Sequence, residues 1–159
     1  MDHGFERIQS GLVEGKDWRR KVSDDSGDDL VRRSYEEALN LGSFHLLDTL
    51  LTEDFVDHEE LRGIPPTREG LKQKYTILRA GFPDFGFRVE DLFHADDRVA
   101  VRVTVRGTHE GEFMGRPPTG KRFAVTSVGI FRTADGRIAE HWGVFDQLAM
   151  LAQLGAFGG

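Results

Sequence analysis

The 159-residue chain carries 27 acidic and 21 basic side chains, a formal charge of −6, and no cysteine. That length suits one domain with a core that needs no covalent staples. The missing cysteines exclude a disulfide framework, a thiolate metal site and a cysteine nucleophile, and the acidic balance argues against nucleic acid as a partner.

Residues 1–28 mix charges, glycines and isolated apolar residues without a steady period, and read as an N-terminal arm preceding a domain over 29–159. Within it, Arg19, Arg20 and Lys21 are followed at once by Asp24 and Asp25, the pattern of a solvated segment. No signal-peptide core is found there, and no eighteen apolar residues run together anywhere, so a cytoplasmic protein with no membrane partner is expected. From Asp28 or Asp29, a helix places Leu30, Val31, Tyr35, Ala38 and Leu39 on one face, with Gly42 as its stop. Ser43 is placed to cap a second helix through "FHLLDTLL". In "DFVDHEEL" the period changes to two, which predicts a short strand with Phe55, Asp57 and Glu59 on one side.

After the turn-rich "RGIPPTREG", Thr67 opens a third helix with Leu71, Tyr75 and Leu78 on one stripe. Four strands follow at about 85–94, 98–109, 122–132 and 137–145, separated by turn residues. A short last helix, "QLAMLAQLG", is capped by Asp146. Helices first and then an antiparallel meander make this an α+β protein. Three N-terminal helices on a curved antiparallel sheet form a cone-shaped barrel whose interior suits an apolar ligand.

The strand carrying "FVDH", the segment "THEGEFMGRPPTGKRF" (108–123) and the ending "DGRIAEHWGVFDQLAMLAQLG" together resemble the SnoaL-like polyketide cyclases of the nuclear transport factor 2 and ketosteroid isomerase superfamily. The likeness runs from about Asp29 to Gly155. It implies a cone-shaped fold, a homodimer or homotetramer, a hydrophobic small-molecule ligand in the cone, and acid/base cyclisation or isomerisation without metal or organic cofactor. In the founding cyclases the acid/base carboxylate lies on the last strand, at the position that is Gly143 here. A second pocket histidine matches Gly129. The founding mechanism therefore does not transfer residue by residue. The two glycines mark either a bulge, bend or close backbone approach, or a pocket enlarged by the loss of two side chains.

Alternation puts His141 on the same side as Gly143, and Ser127, Gly129 and Phe131 together on the strand before it. Asp57 falls where the ketosteroid isomerases of the superfamily carry their aspartate, with Glu59 one strand repeat further. Burial would push such an acid up toward working pH, where it could act as general base. The plainer reading is a strand-end carboxylate bonded to backbone or to an arginine. His109 matches the family's "H-x-G" and could polarise a substrate oxygen or simply shape its turn. The candidate catalytic set is thus Asp57, His141 and His109, with Tyr75, Phe55, Ser127, Gly129, Gly143 and Phe131 as ligand-binding candidates. His58, Glu59 and Glu60 are adjacent, but only His58 and Glu60 could converge on a strand, too few for a metal site. The competing function is a non-catalytic binding or assembly module of the same fold, in which the pocket has lost its catalysts.

Overall fold

The computed structural model describes residues 25–59 and 61–157, so most of the expected arm lies outside the described residues. The first helix, α1 (Asp25–Arg33), starts a few residues before the expected Asp28 or Asp29 and runs on as a π-helical stretch over Ser34–Leu39. Val31, Tyr35, Ala38 and Leu39 are buried, the inward stripe anticipated from their spacing. Gly42 ends the segment with φ +68°, a conformation that costs glycine little. The last carbonyls of this segment, on Leu39 and Asn40, accept bonds from the Arg79 guanidinium, which satisfies acceptors that a helix end leaves open.

The second helix is shorter than anticipated: a 3-10 turn over Phe44–Leu46 leads into α2 (Leu47–Leu50). Ser43 makes no side-chain cap bond. Its carbonyl instead accepts the Leu46 N–H at 2.9 Å, so a tight turn replaces the cap. Strand β1 (Leu51–Asp57) follows, then α3 (Arg68–Gly81), where the Thr67 hydroxyl accepts the Gly70 N–H at 3.2 Å. The remaining elements are β2 (Gly86–Ala95), β3 (Arg98–Thr108), β4 (Arg122–Ala134), β5 (Arg137–Phe145) and α4 (Gln147–Gln153). Asp146 caps α4 by accepting the Ala149 N–H at 2.9 Å, as expected.

One five-stranded sheet has the order β1-β5-β4-β3-β2. Strands β2 to β5 form the anticipated antiparallel meander, whereas β1 joins the far edge parallel to β5, with Asp57 opposite His141. On β3 the valines 99, 101, 103 and 105 face the core while Arg98, Arg102 and Arg106 are exposed, the alternation expected of a sheet solvated on one face. Helices and the inner sheet face share one hydrophobic core. Among the described residues, no helix is long and apolar enough to cross a membrane.

The connector from β1 to α3 packs tightly against the first turn of α3. A methyl group on Gly70 would come within 1.8 Å of the Pro65 carbonyl oxygen. Gly70→Ala therefore forces this connector outward, and urea unfolding is expected to show a loss of about 1–3 kcal/mol, the usual cost of overpacking.

Candidate functional site

The parallel register of β1 on β5 brings two buried polar side chains together on the inner face of the sheet. Asp57 Oδ1 accepts a bond from His141 Nδ1 at 3.0 Å. A carboxylate has no proton to give, so Nδ1 carries the hydrogen and Nε2 of the neutral ring keeps its lone pair. The Asp57 side also holds the start of the connector, because Oδ1 accepts the Glu59 N–H at 3.1 Å.

A third group completes the cluster. Lys74 projects from α3 and its Nζ donates to Asp57 Oδ2 at 3.2 Å, Glu59 Oε2 at 3.0 Å and the Glu59 carbonyl at 3.3 Å. Asp57, His141 and Lys74 are only 4 %, 7 % and 8 % exposed. An ammonium so buried is tolerated because all three of its hydrogens meet oxygen. Lys74 was missed in the sequence, yet it sits three residues from Leu71 and four from Leu78, a charge on the apolar stripe of α3.

Asp57 does not behave as the proton-carrying acid expected of a buried carboxyl. Burial pushes its carboxyl up, but the bond from His141, the Lys74 ammonium and the Glu59 N–H together hold it below the usual carboxylate range. It is an ionised partner, and the cation beside it is a lysine instead of the arginine considered above.

The two glycines pair directly, Gly129 opposite Gly143, with no bulge at that point of the ladder. What approaches them is side chain. A Cβ on Gly129 would lie 3.0 Å from His141 Nε2. A Cβ on Gly143 would lie 2.8 Å from His141 Cε1 and 2.9 Å from Glu59 Oε2. The pair therefore makes room for the imidazole and for a carboxylate delivered from the connector. The space is used within the chain and is not simply added to the pocket.

The cluster opens on a cavity of about 390 Å³. His141, Glu59 and Lys74 line it, as do the anticipated Tyr75, Ser127 and Gly143. Phe55, Gly129 and Phe131 do not: Phe55 is packed in the core, Gly129 lies under the imidazole, and Phe131 stacks on His141 with ring centroids 4.5 Å apart. His109 departs from the expected set. It lies against Phe82, its Nδ1 is 3.1 Å from Thr119 Oγ1, and it borders a separate cavity of about 150 Å³. Its place at the end of β3 carries it past the cavity that His141 faces.

Asp57, Glu59 and His141 each present a donor atom within 4.8 Å of the others, a set that could hold a metal ion. The carboxylates already share the Lys74 ammonium, so a cation there would have to displace it. His58 bonds Glu140 at 3.1 Å and stacks on Trp142, and Glu60, the one neighbour that alternation allowed to converge with it, lies outside the described residues. Chemically, the arrangement offers an oriented imidazole, its second ring nitrogen unpaired among the described residues, beside a paired carboxylate in a mainly apolar cavity.

The profile of the SnoaL-like polyketide cyclases matches residues 29–154. The aklanonic acid methyl ester cyclase DauD of Streptomyces sp. (strain C5) is 28% identical over 131 residues, covering 80% of this chain and 80% of that protein. The nogalonic acid methyl ester cyclase of Streptomyces nogalater is 30% identical over 122 residues, covering 74% and 90% respectively. Among solved structures, IdmH of Streptomyces antibioticus, a candidate polyketide cyclase, superposes with a TM-score of 0.73 at 40% identity. That match covers 81% of this chain and 98% of IdmH.

Two outcomes follow from the cluster. Gly143→Ala pushes Glu59 off Lys74, and a crystal structure of the variant is expected to show that 3.0 Å contact broken. Because the Asp57 carboxyl is depressed in the folded state, the unfolded chain takes up its proton first on acidification. The stabilisation is complete above the ordinary carboxylate value of about 4 and is lost as pH falls through the lower folded value. Urea midpoints measured down the acid range should fall less steeply in Asp57→Asn than in the unchanged protein.

Proposed function

Since the chain belongs to the SnoaL-like polyketide cyclase family, we propose that it closes a carbon ring in a hydrophobic, oxygenated, polyketide-like molecule, without a cofactor, and that His141 moves the proton. The observation that carries this is the 3.0 Å bond from His141 Nδ1 to Asp57. It fixes the tautomer and aims the basic Nε2, which has no protein partner among the described residues, from a side chain that lines the cavity.

In this reading Nε2 takes a proton from a carbon next to a carbonyl. The electron pair released forms a carbon–carbon bond to a second carbonyl carbon of the same molecule, and the alkoxide so made recovers the proton from the imidazolium. Reactant and product are isomers, so no oxidant, metal or co-substrate enters the balance. Asp57 does not itself take the proton; it orients the ring and stabilises its cationic form, as the aspartate does in serine hydrolase triads. The charges support the same assignment. Two carboxylates and one ammonium leave one negative charge, which an imidazolium at His141 balances in a site where screening is weak. The named relatives act on methyl esters of polyketide acids, and such esters carry acidic carbon-bound hydrogens of the kind this base requires.

Incubation with aklanonic acid methyl ester or nogalonic acid methyl ester, followed by chromatography of the products, tests the proposal. The protein is expected to convert at least one of them, and His141→Gln to lower turnover by about 10²–10⁴ with its circular dichroism unchanged. Tight binding of both esters with no conversion would reverse the conclusion in favour of a non-catalytic binding module.

A further inference from the structure

Ring closure by this route creates a negatively charged oxygen in a cavity that the Glu59 carboxylate already lines, with the Asp57 carboxylate directly behind His141. The one ammonium nearby cannot meet it, because all three hydrogens of Lys74 are committed to Asp57 and to Glu59. Other donors are required.

Resting on the acid/base reading above, we propose that the hydroxyls of Tyr35 and Tyr75 are those donors, holding the enolate or alkoxide oxygen of a carbonyl substrate while His141 holds the proton. Both rings are buried, at 5 % and 7 % exposure, and both line the cavity that His141 lines. Buried tyrosine hydroxyls ordinarily find a hydrogen-bond partner. Neither of these has one among the described residues, and neither is among the fully buried side-chain polar atoms left without a partner there. Two phenols on one cavity, unpaired among the described residues, are donors waiting for an acceptor that those residues do not supply.

Their placement is fixed by packing. Tyr35, from the π-helical stretch, lies 4.8 Å from Phe87 and edge-on to Phe131 at 5.9 Å, and Phe131 is the ring that stacks on His141. Tyr75, from α3, meets the same Phe87 at 5.9 Å. A continuous set of rings thus ties both phenols to the imidazole. Burial first, then the charges of Glu59 and Asp57, hold both phenols far above their ordinary value. Each therefore stays protonated and able to donate at any pH the protein meets. Donors fixed in advance in an apolar site stabilise developing charge without having to reorganise.

Tyr35→Phe and Tyr75→Phe keep the rings and remove only the oxygens. Because those oxygens make no bond to the other described residues, thermal unfolding midpoints should not fall. A drop in either would instead indicate a structural hydroxyl and overturn the proposal for that residue. Binding of para-nitrophenol, whose colour reports its anion, reads the donors directly and does not depend on turnover. We expect the bound probe to ionise at lower pH than in water, and each variant to lose about tenfold or more in affinity for the anion. Nitrobenzene, which has the same shape but no hydroxyl, should bind all three proteins alike. Equal para-nitrophenol affinity in all three proteins would overturn the proposal, as would a parallel loss for nitrobenzene. Where an ester is converted, each variant should lose about 10²–10³ in kcat with little change in KM. An unimpaired kcat in both variants would also overturn it. Loss of the acid/base reading would show separately, as absent conversion by the unchanged protein.

Discussion

Lys74 is the constraint on which the site depends. A buried ammonium must be met by anions, and here it draws together a carboxylate from the end of β1 and one from the connector beyond it. With Asp57 held ionised on one side by the lysine, its other oxygen is free to accept the imidazole. Removing the cation would leave two carboxylates facing each other at low exposure, an arrangement that costs far more than either alone. The position of His141 is thus a consequence of a charge two elements away. The sheet supplies the register, with Asp57 opposite His141, and the bond from His141, the lysine and the Glu59 N–H together keep the aspartate charged there.

The glycine pair takes its meaning from the same cluster. In the resemblance, the acid belongs to the last strand, at the position of Gly143. Here a carboxylate is found at nearly the same place in space but comes from Glu59, which enters from the connector and needs that strand position bare. Gly129 does the same for the imidazole. The carboxylate and the imidazole are rearranged on an unchanged scaffold, which is how one fold comes to host different sites.

Much of the scaffold was legible in the chain. The period of two on β3, the Thr67 and Asp146 caps and the meander turns each rest on local chemistry, and each local feature is found where its residues put it. Local pattern could not reveal that β1 lies parallel to β5, because alternation reads the same for either direction of pairing. It also overstated the second helix, where the apolar run "FHLLDTLL" is spent partly on a 3-10 turn and partly on the start of β1. For the site, alternation set Asp57 on one side of β1 and His141 on the side of Gly143, and the resemblance aimed both at the pocket; Glu59 lies past the end of β1, beyond the reach of that period. Lys74 was reachable too, as a charge on an apolar stripe. The ionised state of Asp57 was not, since burial by itself argues the other way and only the partners decide the sign. His109 shows the reverse limit: a matching motif fixes a residue's strand but not which of two cavities its ring borders.

The parallel edge strand also sets how much chain each contact of the cluster must close. Lys74 and Asp57 are separated by 17 residues, whereas His141 and Asp57 are separated by 84. Closing the longer span costs about 1.4 kcal/mol more in chain entropy, on logarithmic scaling. A single helix and its neighbouring strand can bring the lysine to its counter-ion. The imidazole meets the aspartate only across the pairing of the first and last strands, so that contact depends on the completed sheet whereas the lysine contact spans a single connector.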